Sequence, residues 1–153
     1  MINANPIIRG ALFTILNNTL YGDIPIPFYE EYVQPTASRP LAVITQGNMT
    51  AQAYVVMLNQ TQNEATNIKC NRKDECSIQL QVTTVYPANK GGSKLSEDIS
   101  NLILARVKNA TFGVDLFVYD SEVVSIRNTN YDTDTNRVWI TQIVLNYKLT
   151  QSK

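Results

Sequence analysis

The chain contains no histidine. That removes the commonest general base, the Ser-His-Asp and Cys-His arrangements, and most zinc sites. Only two cysteines are present, Cys70 and Cys76, too few to make a structural zinc site on their own. They flank the polar stretch NRKDE, so a hairpin-bridging disulfide is geometrically conceivable. The N-terminus, MINANPIIRGALFTILNN, has no basic n-region and no small-residue cleavage site, so no signal peptide is expected. Without an export signal, both thiols are expected to be reduced. No apolar run approaches the roughly 20 residues that span a bilayer, and no membrane partner is expected. GxGxxG and GxxxxGK(S/T) phosphate loops are also missing, and no cofactor is expected.

Charge is sparse as well. Charged residues make up 17% of the chain, and thirteen basic side chains cancel thirteen acidic ones. Nothing global steers the protein toward sequence-specific nucleic acid or an anionic membrane. Asn, Gln and Thr carry much of the polar surface, a composition compatible with burial against other subunits. With 153 residues and 44% hydrophobic content, the chain fits one globular domain over residues 1–153.

What is present is organised around Cys76 to Lys108. Ile78, Leu80, Val82, Thr84 and Tyr86 alternate with a mostly polar set, the pattern of a half-buried strand. Pro87 and Asn89-Lys90-Gly91-Gly92 release the chain from extended geometry, in a turn read as flexible. Ser93 is then placed to cap a helix, with Glu97 and Asp98 near its positive end. Leu95, Ile99, Leu102, Ile103 and Val107 form one apolar stripe along it.

Upstream, Asn5 and Pro6 open a first helix with Ile8, Ala11, Leu12, Ile15 and Leu16 on one side. Ile24 to Pro27 is extended, Phe28 to Val33 and Leu41 to Thr45 read as strands, and Pro35 to Pro40 as a loop. Ala53 to Leu58 is compatible with strand or helix. Asn59 to Asn67 (NQTQNEATN) reads as a polar loop or exposed extension, Ile68 to Cys70 as the start of a hairpin arm, and Asn71 to Glu75 as its turn. After the second helix, Phe112-Gly113 turns the chain into a short Leu116 to Tyr119 strand. Glu122 to Asn130 and Arg137 to Leu149 form a closing hairpin, with Trp139, Ile143, Leu145, Tyr147 and Leu149 on one face. Strands and helices mix without regular alternation. The expected fold is α+β, a mainly antiparallel sheet with two helices packed on one face.

Chemistry-bearing clusters are few. Asp132 and Asp134, with Asp120 and Glu122 nearby, could suggest a cation site, yet Asp, Thr and Asn between two strands are ordinary turn formers. Glu30 and Glu31, as adjacent strand residues, diverge to opposite faces. Arg72 and Lys73 beside Asp74 and Glu75 read as a solvated turn rather than a phosphate clamp. Gly91-Gly92-Ser93 lacks the context of an anion-binding helix start. Trp139 and Tyr147 read as core. No enzyme is expected.

The order of elements resembles the tail terminator and tail completion proteins of bacteriophages, and related minor structural proteins of the head–tail neck. The matching stretches are the opening helix PIIRGALFTILNNTL, the proline-flanked SRPLAVITQG, the long strand SIQLQVTTVYP, the helix SKLSEDISNLILARV and the closing hairpin EVVSIRNTNYDTDTNRVWITQIVLNYKL. The resemblance implies a non-enzymatic virion protein, assembled in the host cytoplasm. It would form a homo-oligomeric ring, six-fold or twelve-fold, that caps the tail tube or joins it to portal and connector proteins. Candidate subunit contacts are Asn59, Gln60, Gln62, Asn63, Arg72, Lys73, Asp74, Asp132 and Asp134. The alternative is a small ligand-binding or regulatory α+β domain with a pocket between helix and sheet.

Overall fold

The computed structural model describes residues 3–29, 40–67, 71–107 and 117–152. Its fold is α+β: helix α1 (Asn5–Leu16), strands β1 (Leu20–Tyr21), β2 (Ile24–Pro25), β3 (Phe28–Tyr29), β4 (Ala42–Gln46), β5 (Met49–Asn67) and β6 (Asn71–Pro87), helix α2 (Lys94–Val107), and strands β7 (Phe117–Asp132) and β8 (Asn136–Ser152). The main sheet runs in the order β3-β5-β6-β8-β7, with β4 also pairing to β5. Every pairing in it is antiparallel except β3 with β5. Strands β1 and β2 form a separate small hairpin, turned by Gly22 at φ 61°.

The core lies between the helices and one sheet face. Ile78, Leu80, Val82 and Tyr86 of β6 meet Ile143, Leu145, Tyr147 and Leu149 of β8, as the alternation in both strands predicts. Ile8, Leu12 and Leu16 of α1 and Leu95, Ile99 and Ile103 of α2 close over them. Burial of such stripes, rather than helix propensity, is what holds short helices. Leu102, expected in the α2 stripe, is instead 36% exposed, while Ser96 and Ser100 are buried. The buried serines satisfy their hydroxyls locally: Ser100 Oγ donates to Ser96 O at 2.6 Å and Ser96 Oγ to Ser93 O at 2.9 Å. A polar link then fastens α2 to the sheet. Thr141 Oγ1 of β8 donates to Asn128 Oδ1 at 2.7 Å and lies 3.1 Å from Ser96 Oγ, and Asn128 Nδ2 donates to Glu97 Oε1.

Gly91 has a specific task between β6 and α2. It sits at φ 84°, and a Cβ there would run into the ring of Tyr86. The turn is therefore a close approach of backbone to a buried aromatic, not merely a flexible hinge. Ser93 stands just before the helix, where its carbonyl accepts from Glu97 N at 3.0 Å and from Ser96 Oγ at 2.9 Å. Its own hydroxyl bonds none of the helix N–H groups among the described residues, so the expected side-chain cap is not formed. At α1 the boundary moves by one residue: Asn5 begins the helix and Ala4 is the cap.

Several expectations are corrected. Asn59 to Asn67 is not a loop but the second half of the 19-residue strand β5, paired to β6 from Gln60↔Ile78 to Asn67↔Arg72. Asn71 to Glu75 is strand too, the first part of β6, and the expectation for Ile68 to Cys70 lies outside the described residues. Polar composition hid this strand because one of its faces is solvated and the other satisfies its amides on α1. Ala53 to Leu58 resolves as strand. It lacks alternation because Ala53, Tyr54, Val55, Val56 and Met57 are all buried, so both sheet faces are covered there. The short segment beginning at Phe117 and the stretch from Glu122 to Asn130 belong to one strand, β7, interrupted by bulges at residues 119 and 124. The expectations for Glu30 to Val33, Pro35 to Arg39, Phe112-Gly113 and Leu116 also lie outside the described residues.

Candidate functional site

The residues singled out as contacts fall at opposite ends of the sheet. Asn59 to Asn63 lie in the later half of β5 and Arg72 to Asp74 at the start of β6, whereas Asp132 ends β7 and Asp134 lies in the β7–β8 turn, which adjoins Pro87. No single patch gathers them. Within the first group, three side chains are committed to the fold. Gln62 Oε1 accepts from Ala4 N at 2.7 Å, and its Nε2 donates to Asp74 Oδ2 at 3.0 Å. Gln60 Nε2 donates to Asn5 O at 3.0 Å. Together they seat the start of α1 on the sheet. Asp74 is completely buried, which only a hydrogen-bonded carboxylate tolerates. Asn59, Asn63 and Lys73 are exposed, and Arg72 stands opposite Asn67 and Gln151.

At the other end, Asp132 accepts two bonds from Arg137, at 2.8 and 3.3 Å. The Arg137 hydrogen bond holds the Asp132 carboxyl below its usual range. Thr133 closes the turn, its N–H donating to Asn136 O at 2.8 Å and its Oγ1 accepting from Asn136 N at 3.0 Å. Asp134 is exposed. This is turn chemistry, as the sequence argues. Among the described residues, no group of three or more Cys, Asp or Glu side chains is placed to hold a metal ion.

Away from the helices, the sheet presents a surface of amides and hydroxyls. Thr61 and Ser77 meet across β5 and β6 at 2.7 Å, and Ser77 is followed across the sheet by Asn146 and Glu122. The next row holds Glu75, Lys148 and Asp120, with Lys148 Nζ 3.5 Å from Asp120 Oδ2. Glu122, and after it Asp120, raises the Lys148 pKa. Charges here are locally matched, so the face is polar without being strongly of one sign.

Strand β7 carries the feature that sequence reasoning missed. Ser121 to Asn128 are exposed on both faces, and no strand pairs with the outer edge among the described residues. Val123, Val124, Ile126 and Tyr131 are 46%, 57%, 52% and 52% exposed. Beside it, Leu104, Val107, Val123, Leu145 and Tyr147 line an apolar groove of about 280 Å³ between α2 and the sheet. Paired valines at 123–124, which break the alternation, were the available signal of the bulge. A second concavity of about 520 Å³, along α1, is lined by Asn5, Arg9, Phe13 and Gln60.

No protein-family model matches the chain, and no curated protein matches it. Among the described residues, no helix is long and apolar enough to cross a membrane.

Proposed function

We propose that the protein is a non-enzymatic structural subunit of a bacteriophage particle, forming a homo-oligomeric ring at the head–tail junction or the end of the tail tube. The observation that supports this reading best is the uncovered half of the sheet. Four long strands, β5, β6, β8 and β7, present an amide- and hydroxyl-rich face with matched charges. Such a face suits repeated contact with other protein subunits better than recognition of one small charged ligand. The reading also rests on the resemblance drawn from the sequence. Gln60, Gln62 and Asp74 are withdrawn from the proposed contact set, since Gln60 and Gln62 hold the start of α1 and Asp74 is buried against Gln62. The exposed Asn59, Asn63, Lys73 and Asp134 remain in it. Negative-stain microscopy and light scattering on the purified chain test the reading. Closed rings with a central channel are expected, alone or on addition of tail tubes. Particles without rings under both conditions would remove it.

A further inference from the structure

We propose that β7 is a self-pairing strand: two copies of this chain join antiparallel along their β7 edges, about a two-fold axis at the Val124–Ser125 bulge. An unpaired edge leaves a row of backbone N–H and C=O groups that another strand can satisfy. The central part of β7 is exposed on both faces as well as unpaired along this edge. What identifies the occupant is the pattern of side chains. With the bulge on the axis, Glu122 stands opposite the partner's Arg127 and Val123 opposite the partner's Ile126. Ser121 then stands opposite the partner's Asn128. Symmetry repeats each pair, giving two ion pairs and two apolar pairs, the contacts that stabilise antiparallel strands.

The bulge is what makes this register possible. In a regular strand, residues an odd number apart lie on opposite faces, so Val123 and Ile126 could not both meet across a two-fold axis. The extra residue at position 124 restores the phase. Val123 lies against Leu145 and Ile126 against Ile143, both on the helix face, while Glu122 lies against Asn146 and Arg127 against Gln142, both on the other. Each face of β7 thus meets its own kind in the partner. Arg127 makes no ion pair among the described residues, leaving its guanidinium available to the partner. Bulges and charges commonly protect an edge from indiscriminate pairing. Here the same devices select one register with one partner. The pairing would extend the apolar surface of Val123 and Ile126 across the axis, next to the groove under α2.

This contact is isologous and cannot by itself close a ring, so it stands apart from the head-to-tail contacts of a ring. It joins two subunits, or two rings. The test uses the full chain and two single substitutions at exposed positions. Glu122→Arg makes both positions basic and Arg127→Glu makes both acidic, so each variant repels itself. Sedimentation velocity at low salt is expected to show wild type at an even multiple of the chain mass. Each variant alone should run at half the wild-type mass, its self-association weakened by roughly tenfold or more, in line with the cost of juxtaposed like charges. An equimolar mixture should recover the wild-type mass, because every mixed pair is then Glu against Arg. Wild type that stays monomeric overturns the proposal. So do variants that keep the full mass, or a mixture that gains none. Ring formation seen by microscopy is a separate readout, and either result leaves the mixing test decisive.

Discussion

Gly91→Ala isolates the joint between the main strand and its helix. Gly91 lies at φ 84°, a conformation that L side chains rarely adopt, and an added methyl would press on the buried ring of Tyr86, with Cδ2 at 2.6 Å. Left-handed backbone costs a non-glycine residue roughly 1–2 kcal/mol. Forcing a methyl into a filled site adds about 1–3 kcal/mol, since the Tyr86 ring is itself buried in the core. The expected loss is therefore ~2–5 kcal/mol, read as a shift of the urea midpoint at constant slope. Gly92→Ala is the control. Nothing lies within 4 Å of the place a methyl would take there, and its φ is not positive. It should stay within about 1 kcal/mol of wild type, and reduced unfolded-chain entropy favours a slight gain. If Gly91→Ala unfolds at the wild-type midpoint, or the two variants lose stability equally, the close approach over Tyr86 is not what shapes this turn.

Two further outcomes follow from buried polar groups. Gln62→Leu removes the acceptor for Ala4 N and the donor to Asp74, and should cost about 1–3 kcal/mol, with faster amide exchange at the start of α1 as its local mark. Unchanged exchange there would mean that the helix start is held by other contacts. Cys76 is a buried free thiol whose pKa is pushed up to about 11, first by burial and then by the Asp74 charge. The native state thus keeps a proton that the unfolded chain releases near pH 9, and stability should be intact below pH 9 and fall as pH rises toward 11. Burial raises the Tyr86 and Tyr147 pKa values and works in the same direction. Denaturation midpoints measured from pH 8 to pH 11 check this, and a flat profile would contradict the buried thiol.

Local periodicity was enough to determine which face of β6 and β8 meets the core and where α1 carries its stripe, and for α2 it placed Leu95, Ile99 and Ile103 but not the buried Ser96 and Ser100. Alternation at Ile78–Tyr86 and at Ile143–Leu149, and the three-and-four spacing of Ile8–Leu16, each record a surface half removed from water. The DTDTN turn was legible for the same reason: Thr133 closes it with bonds inside the segment. Other features depend on groups far away along the chain. NQTQNEATN looks like a loop until β6 supplies its hydrogen-bond partners and α1 takes up Gln60 and Gln62. Ala53 to Leu58 loses its alternation because both faces of the sheet are covered at that point, a fact about neighbours rather than about the segment. The edge position of β7 and the phase shift at residue 124 likewise exist only once β8 is in place. Side-chain pattern reports solvation of a face, which is local. Strand pairing, bulge phase and edge exposure are set by long-range partners, and only the tertiary structure decided them.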